Sequence, residues 1–105
     1  MSNFNSTPLV AQWDFAADGT GATVTYQGTN PIQIEASGTD FGSGTVVVNS
    51  SLDGGTTFLP LTDASFTANG RSGPYLASRG EKFQAVLSGS SSPSVSVYIY
   101  ETVRN

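Results

Sequence analysis

The sequence predicts an all-β protein, an antiparallel β-sandwich of about eight strands, jelly-roll or immunoglobulin-like, with almost no helix. Three observations carry this. Apolar and polar residues alternate with a period of two along most of the chain, as half-buried antiparallel strands require. Turn signals recur at roughly ten-residue spacing, the punctuation of sandwiches and barrels. No window carries the 3.6-residue stripe of an amphipathic helix, and the Ala, Glu, Lys and Leu richness of helical proteins is missing.

In chain order, Leu9, Ala11, Trp13 and Phe15 share one face of a first strand, against Val10, Gln12 and Asp14. This periodicity assigns Trp13 to the core. Ala22, Val24 and Tyr26 form a second set, and Ile32, Ile34 and Ala36 a third, alternating with Gln33 and Glu35. Val46 and Val48 come next, with Leu52 placed on the same face. Phe83, Ala85 and Leu87 follow, and Val95, Val97, Ile99 and Val103 close the series against Ser96, Tyr98, Tyr100 and Thr102. Two hairpins are expected. One runs over Thr45–Leu52, turns at Asp53-Gly54-Gly55 and returns through Thr56–Leu61, because Asp-Gly tolerates the positive φ of tight turns. The other joins Lys82–Ser88 to Ser94–Val103 through the Ser-rich loop after Gly89.

With 105 residues the chain reads as one domain, 9–105, preceded by a polar arm over residues 1–8. Such an arm orders only when something holds it. Gly accounts for 12 positions, Ser for 15 and Thr for 12, and charged residues make up 11%. The net charge is −4, and Arg71, Arg79, Lys82 and Arg104 form no run, so double-stranded nucleic acid is not an expected partner. Without His or Cys, the chain can build neither a disulfide nor a Cys/His zinc site or nucleophile. No apolar stretch approaches the ~20 residues of a membrane-spanning helix. The N-terminal sequence has neither the basic nor the apolar region of an export signal, so synthesis in a cytoplasm is expected.

Catalysis would have to rest on carboxylates. Asp14, Asp18, Glu35, Asp40, Asp53, Asp63, Glu81 and Glu101 fall mostly at turns, where Asp hydrogen-bonds nearby amides, and the reading is a non-enzyme without cofactor or metal. Asp18-Gly-Thr-Gly and Asp53-Gly-Gly lack the alternating acidic ligands of a calcium loop. Tyr98 and Tyr100 lie opposite Val97 and Ile99; the alternation leaves them either outward, as interface residues, or under a neighbouring loop.

Residues 51–58, Ser-Leu-Asp-Gly-Gly-Thr-Thr-Phe, fit S-x-D-x-G-x-T-[WF] and so resemble the Asp-box hairpin of sialidase-like propellers. The resemblance implies a structural turn built by Ser51, Asp53, Gly55, Thr57 and Phe58, not sialidase activity. More broadly, Val46–Leu61, then Phe83-Gln-Ala-Val-Leu-Ser-Gly and a closing strand, are similar to small β-sandwich proteins of tailed-bacteriophage virions. That resemblance implies a virion structural protein, foremost a capsid decoration or cement protein, located in the virion. Its partners would be the major capsid protein or other virion subunits, with homo-oligomers on the shell. Phe4 and Asn5 of the arm, with Tyr98 and Tyr100, are the expected contact residues. The rival is a carbohydrate-binding or host-attachment module, a tail or fibre component, stacking a glycan on Tyr26, Tyr75, Tyr98 or Tyr100.

Overall fold

The computed structural model describes residues 8–102, all in strands and loops with no helix among them. Among the described residues, therefore, no helix is long and apolar enough to cross a membrane. The arm positions Phe4 and Asn5, and Val103, lie outside the described residues. The strands are β1 (Leu9–Phe15), β2 (Gly19–Thr20), β3 (Val24–Thr25), β4 (Ile32–Asp40), β5 (Thr45–Ser51), β6 (Leu59–Phe66), β7 (Gly70–Tyr75), β8 (Lys82–Ser88) and β9 (Ser94–Glu101). They form two antiparallel sheets, ordered β1-β9-β4-β7 and β2-β8-β5-β6, with β3 pairing β8 beside β2.

Taking β2 and β3 as one interrupted strand, this is the winding of a jelly roll, and it settles the choice against the immunoglobulin order. A long antiparallel hairpin explains it. Its apex is β5–β6; outward from there β4 pairs β7, β2 and β3 pair β8, and β1 pairs β9. Rolling the hairpin up then brings β8 against β5 and β9 against β4.

The period-two pattern settles which side faces inward. Ile32, Ile34 and Ala36 of β4, Val46 and Val48 of β5, Phe83, Ala85 and Leu87 of β8, and Val95, Val97 and Ile99 of β9 all meet between the sheets. Trp13 is core, as its periodicity predicts; its indole N–H donates to the Ala22 carbonyl at 2.7 Å. A Cβ on Gly21 would run into that ring, so the residue there is the one that lets loop and indole touch. Burying each Ile, Leu or Phe contributes roughly 1.5–3 kcal/mol, several times what an exposed ion pair adds. The inner faces therefore hold the fold.

Four expectations need correction. Residues 82–88 and 94–101 do not form a hairpin, since β8 and β9 belong to different sheets and the Ser-rich loop crosses between them. The loop is tied down by the Ser91 amide donating to the Gly42 carbonyl and by Ser90 bonding to Asp18. Leu52 is 78% exposed, and Ser51, 2% exposed, takes the inward position instead. The chain turns out of its alternation there because the Ser51 hydroxyl is needed inside the turn. The return strand of the first hairpin starts at Leu59 rather than Thr56 and runs on to Phe66, followed by β7, for which the alternation gave no signal. Finally, Leu9 and Ala22 are exposed, so only part of their two sets faces the core.

Candidate functional site

The outer face of the β1-β9-β4-β7 sheet carries the chemistry. Inward Val97 and Ile99 force Tyr98 and Tyr100 outward, and inward Ile32, Ile34 and Ala36 do the same for Gln33 and Glu35. Register then sets the residues in rows: Arg71 beside Glu35 beside Tyr98 beside Gln12, next to a row of Gln33, Tyr100 and Leu9. A third row joins Ser37, Ser96 and Asp14. The Tyr98 and Tyr100 rings stack with centroids 5.8 Å apart and planes 21° from parallel, both half-buried.

Arg71 Nε donates to Glu35 Oε1 at 2.9 Å. Arg71 is largely exposed, so this pair adds little stability and serves mainly to hold two charged groups in place. Between Tyr100 and Arg71 lies a shallow concavity of about 350 Å³, lined by Gln33, Ile34, Glu35, Arg71 and Tyr100. Beside it the β4–β7 ladder slips by one residue, so that Gly73 and Pro74 of β7 lie opposite Gln33 of β4. A second dip of about 280 Å³ shares Glu35 and Arg71 with the first, leaving the ion pair as the ridge between them. Burial, and next the Glu35 carboxylate, push the Tyr100 phenol above its usual pKa. On the neighbouring row, Asp14 accepts from Ser96 Oγ at 2.6 Å and from Gln12 Nε2 at 3.1 Å.

The other predicted residues are placed elsewhere. Ser51 ends β5, and Asp53, Gly55, Thr57 and Phe58 follow in the turn between β5 and β6. Ser51 Oγ donates to Asp53 Oδ1 at 2.6 Å and accepts the Gly55 amide at 2.9 Å. Asp53 Oδ1 also accepts the amides of Thr56 and Thr57, at 3.1 and 2.9 Å. Gly54 and Gly55 supply φ of 80° and 97°, which a residue with a Cβ rarely adopts. Of the tyrosines considered as platforms, Tyr26 is 1% exposed and bonds through its hydroxyl to the Asn30 carbonyl, so it offers no face to a ligand. Tyr75 is half-buried against the core, and its hydroxyl donates to the Thr62 carbonyl.

Four other carboxylates have hydrogen-bond partners of their own: Asp18 is held by Ser90, Asp40 by the Gly42 amide, Glu81 by the Ser78 amide and Glu101 by Asn30. Among the described residues no three acidic side chains gather as a metal cluster. Sequence reading missed Gln33 and Arg71 as partners of the tyrosines. Gln33 was visible as an outward residue of a clear strand, but Arg71 sits in Gly-Arg-Ser-Gly-Pro-Tyr, where nothing alternates.

Comparison with known proteins finds no matching family model, no similar curated protein and no similar solved structure.

Proposed function

We propose that the chain is a non-enzymatic virion structural protein, a capsid decoration protein that docks on the shell formed by the major capsid protein. The observation that carries the reading is the stacked Tyr98–Tyr100 pair, half-exposed on a polar sheet face with Arg71 nearby. Tyr and Arg are the residues that concentrate binding energy at protein interfaces. The molecule is also a slab, 42 × 35 × 20 Å, which offers a broad face for its mass. Jelly rolls serve in capsids and in lectins alike; fold analogy therefore agrees with the reading without selecting it. In this reading residues 1–8, with Phe4 and Asn5, supply a second anchor on the shell.

The test is size-exclusion chromatography with light scattering, on the chain alone and mixed with empty shells. Saturable co-migration is expected. The Tyr98→Ala/Tyr100→Ala variant should fold normally and bind at least about tenfold more weakly, the loss of an interface hot spot. Deleting residues 2–8 should weaken shell binding while the chain still folds, short of the one bond from the Glu101 amide to the Pro8 carbonyl. A wild-type chain that ignores shells would sink the proposal.

A second reading, a glycan-binding attachment module, is favoured by one observation: Tyr100 lines the same concavity as an amide, a carboxylate and a guanidinium. Those groups suit sugar hydroxyls, and the ring suits a sugar face. Against it, stacking occupies one face of each tyrosine ring. Saccharide-array binding that is lost in Tyr100→Ala, with no shell binding, would select this second reading.

A further inference from the structure

The two sheets have four edges, and three are blunted against pairing with another chain. At β7, Gly73 and Pro74 bulge away from β4, and proline lacks the N–H that a new strand would need. At β6, Pro60 and the left-handed Asp63 (φ 63°) interrupt the strand, and its register with β5 breaks between Val47 and Asn49. The edge beyond β8 is cut into β2 and β3, two residues each, with Gly21-Ala22-Thr23 between them. The fourth edge is β1. From Ala11 to Phe15 it pairs β9 without a break, and it contains no glycine, no proline and no positive φ. No backbone group of β1 bonds to any described segment other than β9.

The core residues of β1 also keep a little exposure, as edge positions do. Ala11, Trp13 and Phe15 keep 6, 6 and 9% exposure, whereas Ile32, Ile34 and Ala36 on the interior strand β4 keep none. A strand laid along the free edge of β1 would cover that remainder and complete the ladder.

We infer that this strand is β1 of a second copy, paired antiparallel about Gln12 so that two four-stranded sheets become one. The self-pairing is chemically consistent. With Gln12 facing its own counterpart, Ala11 faces Trp13 and Val10 faces Asp14. Asp14, the only charge on the strand, thus never opposes another Asp14. Large meets small on the inner side, and on the outer side a pair of glutamine amides sits between the two copies of Tyr98. A two-fold axis through Gln12 generates this contact and closes it, as isologous dimers do. The contact is short, which makes the dimer weak and concentration-dependent. It stands or falls independently of what the outer face binds.

Sedimentation of the full chain from about 1 μM to about 1 mM should show a reversible monomer–dimer equilibrium. Gln12 is exposed, so its replacement leaves the fold intact. Gln12→Lys, which sets like charges face to face on the axis, should weaken the dimer by up to about fivefold. Gln12→Glu should do the same, and mixing the two variants should restore association as a heterodimer. Amide hydrogen exchange should slow in Leu9–Phe15 as concentration rises, with Gly70–Tyr75 unchanged. A chain monomeric throughout, a Gln12→Lys variant as dimeric as wild type, or a dimer that forms only once residues 1–7 are removed would each overturn the inference.

Discussion

Asp53 gathers the Ser51 hydroxyl and two backbone amides around one carboxylate oxygen, and these donors favour its ionised form. The Ser51 hydrogen bond, then the Thr57 amide, hold its pKa at about 2, against 3.8 for an unperturbed side chain. The unfolded chain therefore takes up a proton before the folded chain does. The stabilisation is complete above pH 3.8 and disappears as pH falls from 3.8 to about 2. Asp14 and Asp18 are lowered in the same direction by hydrogen bonds from Ser96 and Ser90, and they add to the same acid limb. Carboxyl carbon shifts followed by NMR should give Asp53 a midpoint near 2, and Asp53→Asn should flatten the loss of stability below pH 3.8. A midpoint at 3.8 would mean that the turn's hydrogen bonds do not persist in solution. This site was legible in the sequence because every partner lies within four residues of Asp53. The Tyr100 concavity was not, because Arg71 comes from an element with no pattern and reaches Glu35 only through sheet register.

At the scale of elements, β5–β6 is the one pair of strands, among the described residues, adjacent both in sequence and in a sheet. Every other ladder joins strands separated by further elements, so its loop-closure entropy must be met before contact is made. The Ser51–Phe58 turn thus lies at the apex of the wound hairpin and is the natural place for pairing to begin. Weakening it with Asp53→Ala should slow folding markedly and change the unfolding rate little, as residues structured in the transition state do. Stopped-flow chevrons would decide, and an effect confined to the unfolding limb would place the turn late instead. The same logic explains the failed hairpin at 82–101. A Ser-rich loop is compatible with a sharp return within one sheet or a passage to the other, and alternation on its two flanks is identical in either case. What excludes the hairpin is that β5 and β3 flank β8 while β1 and β4 flank β9, leaving neither strand a free edge for the other.

For the whole molecule, the division of labour runs between inside and outside. Apolar burial between the sheets supplies the stability, so the outer face can carry Tyr98, Tyr100, Gln33, Glu35 and Arg71 at small cost to folding. That face is sparsely charged, and Glu35 and Arg71 already neutralise one another. Docking on a shell should accordingly depend on aromatic burial rather than long-range attraction. Raising ionic strength from about 0.1 to about 1 M shortens the screening length from ~10 to ~3 Å, yet shell affinity should change less than about tenfold. A collapse of binding over that range would point to contacts through charges elsewhere on the chain.

Taken by itself, the sequence determined the all-β class, the inward face of the regular strands, Trp13 as core and the turn at Asp53. All of these depend on residues within a few positions of one another. Tertiary structure alone decided the jelly-roll winding, the separation of β8 from β9, the burial of Tyr26 and the union of Tyr100 with Gln33, Glu35 and Arg71. The physical reason is the same throughout. A period of two tells each side chain which way to face, but a strand's hydrogen bonds point sideways and are identical for any partner. Which strands become neighbours is settled only when all the apolar faces are buried at once.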